Sequence, residues 1–468
     1  MASEFQLVSS PEELGLSSRA ITEFFSKHGK LGLHSLAVVK GGKAYALAVR
    51  PFAVDSPHTL FSLSKSFCSM AAGMAVHEGL LSYEDSVAEV LRDCLPEKYD
   101  KRLKEVTLHH LLSMSSGLEE QSDHEIRSST DWARAALSYK VVHKPGTKFH
   151  YNTMGTYLAG RMVSARAGMS LRDYLMPRLF EPLGIKKPQW DCCPLGHNTG
   201  GFGLHLGVAD LARTAQLLLD GGVWQGERLL SGEYLARATR KQVDNRDLNW
   251  DDPHVDWMSG YGYQFWMARH GRYRGDGMYG QVMMVDPKSK LAVCCTAGLN
   301  LMGDEMDALH DLMDQLVSLP KEKAEGQAAL KRLEKRLVFR APADKDGPLF
   351  GEGNYFREDG KSLRVEIPDD NSLRLIFRSP DSQQPLFFSF GRKTAHRGEF
   401  PSFAMGERPQ AYLGRFGVRD GVITARVVMP QAPYRTEIKL SPTPEGLRLV
   451  MDSVGFDSGT FLLKRAGQ

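Results

Sequence analysis

The sequence predicts an α+β protein: an antiparallel sheet flanked by helices, a helical region beside it, and a C-terminal antiparallel β domain of barrel-like form. Three patterns predict this. Apolar residues recur at three- and four-residue steps through the middle of the chain, from about Leu60 to Leu219, which is helical periodicity. Alternating, turn-bounded segments lie on both sides of that region, at 33–48 and at 260–296. Past residue 345 the two-residue step takes over, as strands joined by tight turns require.

Taken in order, residues 33–48 read as a hairpin. Leu36 and Val38, then Tyr45 and Leu47, flank Gly41-Gly42, and paired glycines supply the positive φ angles of a two-residue turn. Leu63, Phe67, Met70, Ala71 and Met74 mark a helix that buries most of one side, ended by Gly79. Ser82, with Asp85 three residues on, caps the next short helix. Strands are expected again at 260–266, at 280–285 and at 291–296, with Tyr273 to Gly277 on an edge strand. Met306, Leu309, Leu312, Met313 and Leu316 then mark an amphipathic helix. The expected organisation is a first domain at 1–320, a linker at 321–344 and a small β domain at 345–468. In the last of these, Leu363 and Val365, Leu373 and Leu375, Ile423 and Ala425, and Leu447 and Leu449 keep the two-residue step.

Composition excludes several classes. At 468 residues with 42% apolar side chains, the chain builds a sizeable core. A net charge of +3 is spread over interleaved acids and bases, so no nucleic-acid surface is expected. No stretch approaches the length of a membrane span, and Met1 to Gln6 lacks a charged-then-apolar leader. Six cysteines without Cys-x-x-Cys spacing read as free thiols in a reducing compartment, so the expected location is cytoplasmic. His109-His110 and the acidic loop 247–256 lack metal-ligand spacing, and neither metal nor cofactor is expected.

The chemistry-bearing feature is Ser62-Leu63-Ser64-Lys65. On a helix, a serine three residues before a lysine shares its face, one turn away. A desolvated amine near the positive end of the helix dipole loses its proton more readily than one in water. It can then take the serine proton and make the alcohol a nucleophile. Ser62 in the first turn also presents its own N–H to a developing oxyanion.

The run from His58 to Phe67 resembles the nucleophile segment of the serine β-lactamase and penicillin-binding-protein superfamily. It is most similar to the class C-like branch, which includes family VIII carboxylesterases and D-amino-acid peptidases. Val106 to Leu118, Leu179 to Ile185 and the glycine-rich run Gly200 to Leu204 are similar to other parts of that family, so that the resemblance covers roughly the first 320 residues. Pro145 to Thr153 resembles the second motif, which implies that Tyr151 shares the proton transfers with Lys65. The family's Tyr-x-Asn stands here as Tyr151-Asn152-Thr153, placing Thr153 where an amide would bind substrate.

The third motif, Lys-Thr-Gly or His-x-Gly in the family, aligns with Gly275-Asp276-Gly277, and Gly280 matches the glycine that follows. The resemblance implies a substrate-binding role for Gly275, Asp276, Gly277 and Gly280, with the Met278 N–H as second oxyanion donor beside that of Ser62. No lysine or histidine stands at the basic position, and strand alternation points Arg274 away from the face used by residue 275.

The expected function is a serine hydrolase that forms an acyl-enzyme on Ser62, acting on a small-molecule ester or amide, with carboxylic esters favoured. Trp132, Trp250, Trp257, Tyr261, Tyr263 and Trp266 are candidates to line an apolar pocket, some of them belonging to the core. A D-aminopeptidase or weak β-lactamase is the alternative enzyme, and a catalytically silent binding protein on the same scaffold the alternative of another class. The β domain is expected either to shape the cleft or to join subunits in a homo-oligomer.

Overall fold

In the computed structural model, which describes residues 5–119, 123–247, 255–339, 342, 346–379, 382–390, 395–400 and 409–466, the chain divides after Leu337 into two units. The first is built on a seven-stranded sheet. From edge to edge its strands are Gln6–Val8, Lys43–Ala48, Leu33–Lys40, Leu291–Ala297, Gln281–Asp286, Tyr273–Gly277 and Trp266–Met267. All neighbours are antiparallel except Gln6–Val8, which runs parallel to Lys43–Ala48. The predicted hairpin is present, with Lys40 opposite Lys43 and the turn made by Gly41 and Gly42 at φ 61° and 77°.

Both faces of the sheet are covered, which is why its central strands are buried along their whole length. Ala37, Val39, Met283, Val285, Ala292 and Cys294 pack against the helical region. Leu36, Val38, Val282, Met284, Val293 and Cys295 face a layer that includes helices Ser18–His28 and Gly303–Ser318. The adjacent Cys294 and Cys295 therefore point to opposite faces, and all six cysteines are free thiols.

Helix Ser64–His77 is the axis of the helical region, and Ser64 through Ala75 are buried on every side. Helix Thr153–Ala167 crosses it closely: a methyl added to Gly160 would lie 3.3 Å from the Cys68 sulfur. The strand expected at 260–266 shrinks to Trp266–Met267, because Gln264 takes φ 61° and turns the chain. The expected linker 321–344 contains helix Ala324–Arg336, which belongs to the first unit. Its Leu330 is buried, and its Glu334 accepts a hydrogen bond from the Tyr45 hydroxyl.

The second unit is a closed barrel of nine strands. They run Ser382–Phe390, Ser372–Ser379, Ser362–Asp369, Gly353–Phe356, Gly459–Arg465, Gly446–Val454, Arg435–Thr443, Val422–Val428 and Gln410–Arg419. Parallel pairing of Ser389 and Phe390 with Arg415 and Phe416 closes the ring, and His396–Phe400 adds a tenth strand outside it. The alternating residues Leu363, Val365, Leu373, Leu375, Ile423, Ala425, Leu447 and Leu449 are buried, as the two-residue step predicts. Among the described residues, no helix is long and apolar enough to cross a membrane.

Candidate active site

Every residue from His58 to Ala75 is buried except Ser62, which keeps partial access to solvent. Local structure explains this. His58 and Thr59 pair with Leu206 and His205, the Leu60 N–H donates to the Leu204 carbonyl at 2.9 Å, and Phe61–Leu63 forms a single 3₁₀ turn before helix Ser64–His77. Phe61 adopts a left-handed φ of 47°, a conformation disfavoured for a bulky side chain, and its ring packs edge-on against Tyr279 at 5.2 Å. The Ser64 hydroxyl accepts the Leu204 N–H at 3.0 Å. Apolar Leu60, Phe61 and Leu63 turn into the core and leave Ser62 at the rim.

Lys65 is 1% exposed. Its Nζ lies 3.0 Å from Ser62 Oγ, 3.2 Å from Thr153 Oγ1 and 2.8 Å from the Gly201 carbonyl, and 4.9 Å from the centre of the Tyr151 ring. Three neutral oxygens thus lie within hydrogen-bond reach of the amine. The Thr153 hydroxyl, expected from sequence to touch substrate, accepts a hydrogen bond from Lys65. The neighbouring Asn152 does not offer its carbonyl to a ligand: Oδ1 caps helix Thr153–Ala167 by accepting the Gly155 N–H at 2.9 Å. The Gly201 carbonyl is a partner that sequence reasoning missed. Its glycine-rich run was legible, but nothing in it says that a carbonyl 136 residues away meets the lysine. Gln264 was missed as well. It clamps the helices around the site, accepting from Ser66 and Thr156 and donating to the carbonyls of Leu111 and Leu112.

The Tyr273–Gly277 strand passes directly over the nucleophile turn. A Cβ on Gly277 would sit 2.1 Å from the Leu60 carbonyl oxygen and 3.0 Å from the Ser62 nitrogen, and one on Gly275 would meet Ser66 Oγ at 2.4 Å. Only glycine fits at either position, and the approach brings the end of this strand beside the Ser62 N–H. The strand is not the sheet edge expected from sequence. Tyr273 and Arg274 pair with Met267 and Trp266, leaving residues 275–277 open on that side.

Asp276, expected from sequence to bind substrate, lies on the face of the strand opposite to Gly275 and Gly277. Strand alternation turns it, with Arg274, toward the opposite layer. There Arg274, fully buried, donates from Nε to Asp276 Oδ2 at 2.9 Å and stacks its guanidinium 5.0 Å from Trp257. Burial pushes the Asp276 carboxyl above its ordinary range, with Arg274 opposing the shift. Gly280, at φ 90°, closes the following turn, its N–H donating to the Gly277 carbonyl at 3.2 Å. Behind it lies Glu305, buried beside Cys295 and pushed up to about 8 by loss of solvent.

Tyr151 stacks on Trp266, ring centres 5.5 Å apart and planes 15° off parallel, and Tyr261 meets Trp266 edge-on at 4.6 Å. Trp132, Trp257, Tyr261, Tyr263 and Trp266 are all core residues rather than the walls of an open pocket, and Trp250 and most of the acidic loop lie outside the described residues. His109 Nδ1 pairs with the Tyr263 hydroxyl at 2.6 Å, and His110 Nδ1 accepts the Thr107 N–H at 3.1 Å.

A family model described as Beta-lactamase matches residues 18–317, nearly two thirds of the chain. The 6-aminohexanoate-dimer hydrolase of Paenarthrobacter ureafaciens is 25% identical over 281 residues, covering 54% of this chain and 69% of that protein. Among solved structures, a family VIII carboxylesterase aligns over 66% of this chain and 98% of its own, with TM-score 0.53 and 17% identity. The octameric penicillin-binding protein homologue from Pyrococcus abyssi covers 95% of this chain and 98% of its own, with TM-score 0.50 and 19% identity, so its likeness extends over the barrel. At these identities the two structures establish the fold alone. The chain belongs to the β-lactamase family of hydrolases.

Proposed function

We propose that this protein is a serine hydrolase that cleaves carboxylic esters of small or apolar acyl groups through an acyl-enzyme on Ser62. The observation that carries the reading is the 3.0 Å approach of a buried lysine nitrogen to the one side chain of its segment left accessible. In the reaction, Ser62 Oγ attacks the ester carbonyl as its proton passes to the Lys65 amine, with Tyr151 sharing the transfer. The backbone N–H groups of Ser62 and Met278 take the oxyanion. The acyl–oxygen bond then breaks, the relayed proton leaves with the alcohol, and the acyl group stays on Ser62. Water enters next, gives its proton to the same relay and releases the carboxylic acid, restoring the Ser62 hydroxyl.

Esters are favoured over substrates bearing a carboxylate because the third motif offers glycine at its basic position, while Arg274 is neutralised on the far face by Asp276. A threonine stands at position 153 where the family carries an amide, which removes the group that would hold an acylamino group and argues against β-lactams. The carboxylesterase neighbour supports the reading at the level of fold. Six free thiols support a reducing, cytoplasmic setting. Hydrolysis of a short-chain nitrophenyl ester tests the proposal: turnover by the wild type, lost in Ser62→Ala, is expected. Faster cleavage of a chromogenic cephalosporin or a D-amino-acid amide than of any ester would replace it with the β-lactamase or D-aminopeptidase reading.

A further inference from the structure

We propose that the buried Asp191–His205 pair is a positioning pair for Lys65, holding the glycine-rich loop 199–203 so that the Gly201 carbonyl fixes the rotation of the lysine amine. This rests on the ester-hydrolase reading above and names the support its base needs. Gln189–Trp190 pairs with Leu204–Leu206, which pairs in turn with His58–Thr59, the lead into the nucleophile turn. Between the first two strands the loop closes on Asp191. The Asp191 N–H donates to the Gly203 carbonyl at 2.9 Å, and its carbonyl accepts the Thr199 N–H at 2.9 Å. The Trp190 indole and the Thr199 hydroxyl both donate to the Phe202 carbonyl beside Gly201. The Asp191 side chain, 3% exposed, lies against the same loop, and its Oδ2 meets His205 Nε2 at 3.3 Å. The fit is close on both sides. A Cβ on Gly203 would lie 2.9 Å from Asp191 Oδ2, and one on Gly201 would lie 2.8 Å from Thr153 Cγ2.

A carbonyl only accepts, so one N–H of the Lys65 amine is committed to Gly201 at 2.8 Å. With a second N–H on Thr153 Oγ1, the lone pair of the neutral amine is turned toward Ser62 Oγ. A loop free to shift lets the amine rotate and swings that lone pair off the nucleophile. The Asp191 carboxylate ties the loop down because a carboxylate away from water stays where donors answer it. His205 supplies one from the strand bonded to the nucleophile segment. The titratable groups bearing on Lys65 include Tyr151, from the stretch before helix Thr153–Ala167, and Cys68 on its own helix.

Three variants test it, each followed by kcat, KM, the pH profile of kcat/KM and thermal unfolding. Asp191→Ala removes the tie. It is expected to lower kcat roughly tenfold or more, since small misplacements of a catalytic group cost that much, with KM little changed. The acid limb of its profile should move to lower pH, because a carbonyl accepting from the amine favours the charged form, and loosening it frees the proton. A mere loss of folded molecules lowers the plateau without moving the limb. His205→Phe keeps a ring, removes the N–H donor and should shift kcat and the limb in the same directions. Asp191→Asn keeps an acceptor for His205 and should recover most of the lost kcat. Should Asp191→Ala fail to fold, His205→Phe decides. Wild-type kcat and an unmoved acid limb in folded Asp191→Ala or folded His205→Phe overturn the inference. A wild-type enzyme that hydrolyses no ester and takes no fluorophosphonate label overturns the ester-hydrolase reading instead, so the two failures are distinguishable.

Discussion

Lys65 Nζ and Ser62 Oγ lie 3.0 Å apart across the junction of a 3₁₀ turn and an α-helix, the lysine 1% exposed and the serine at the rim. An amine held this way is shielded from bulk water, and its partner is the one side chain from His58 to Ala75 that is not buried. Lys65→Met keeps the length and apolarity of the stem while removing the base. Steady-state ester hydrolysis should fall by a factor on the order of 10³, the range for a positioned base. The variant also leaves the buried Gly201 carbonyl without its lysine donor, which costs about 1–3 kcal/mol in a urea titration. Turnover within tenfold of wild type would remove Lys65 from the proton transfers.

Thr153→Val separates the lysine's support from its chemistry. It removes a 3.2 Å hydroxyl contact with Lys65 at nearly constant volume. A net hydrogen bond is worth about 1 kcal/mol, so kcat is expected to drop roughly fivefold, with KM unchanged. A rise in KM with kcat intact would instead place Thr153 on the substrate.

Gly277→Ala puts a methyl 2.1 Å from the Leu60 carbonyl oxygen and 3.0 Å from the Ser62 nitrogen, both backbone atoms that cannot swing aside. Overpacking of this kind costs about 1–3 kcal/mol and moves the nucleophile turn. Thermal unfolding should show a lowered midpoint, and the folded fraction should be nearly inactive. Full activity per folded molecule would show that the turn tolerates displacement.

The buried Glu305 gives stability a pH signature. Its carboxyl ionises near 8 in the folded chain against an ordinary 4.5, raised mainly by loss of solvent. The folded state therefore holds a proton that the unfolded state has lost between these values. Its contribution is complete below about 4.5, is lost as pH rises through about 8, and is flat beyond. Glu305→Gln lacks that decline. Unfolding free energies of the variant and the wild type, from urea titration, should converge at pH 5 and separate at pH 8 by an amount on the order of a few kcal/mol. Parallel curves across this range would contradict the buried, protonated state.

Much of this was legible in the sequence, for reasons that differ by element. The closeness of Ser62 and Lys65 is legible because a three-residue step keeps two side chains within one turn, here across a 3₁₀ turn and the start of an α-helix. The barrel strands were found because alternation is a local property. The face of Asp276 is legible too, since alternation puts it with Arg274 on the side away from Gly275 and Gly277. Helix Ala324–Arg336 was read as linker because its exposed, charged composition hides a single buried anchor, Leu330. The Gly201 carbonyl and the Gln264 clamp were out of reach, since each depends on segments more than a hundred residues apart meeting in space.

The central claim is that one alcohol in this chain is activated as a nucleophile. Intact-mass analysis after exposure to a fluorophosphonate, with the adduct located by peptide mapping, tests it without a known substrate. The account predicts one equivalent bound at Ser62, with none in Ser62→Ala and slowed labelling in Lys65→Met. An adduct on any other residue, or an unlabelled Ser62 in folded protein, would contradict it.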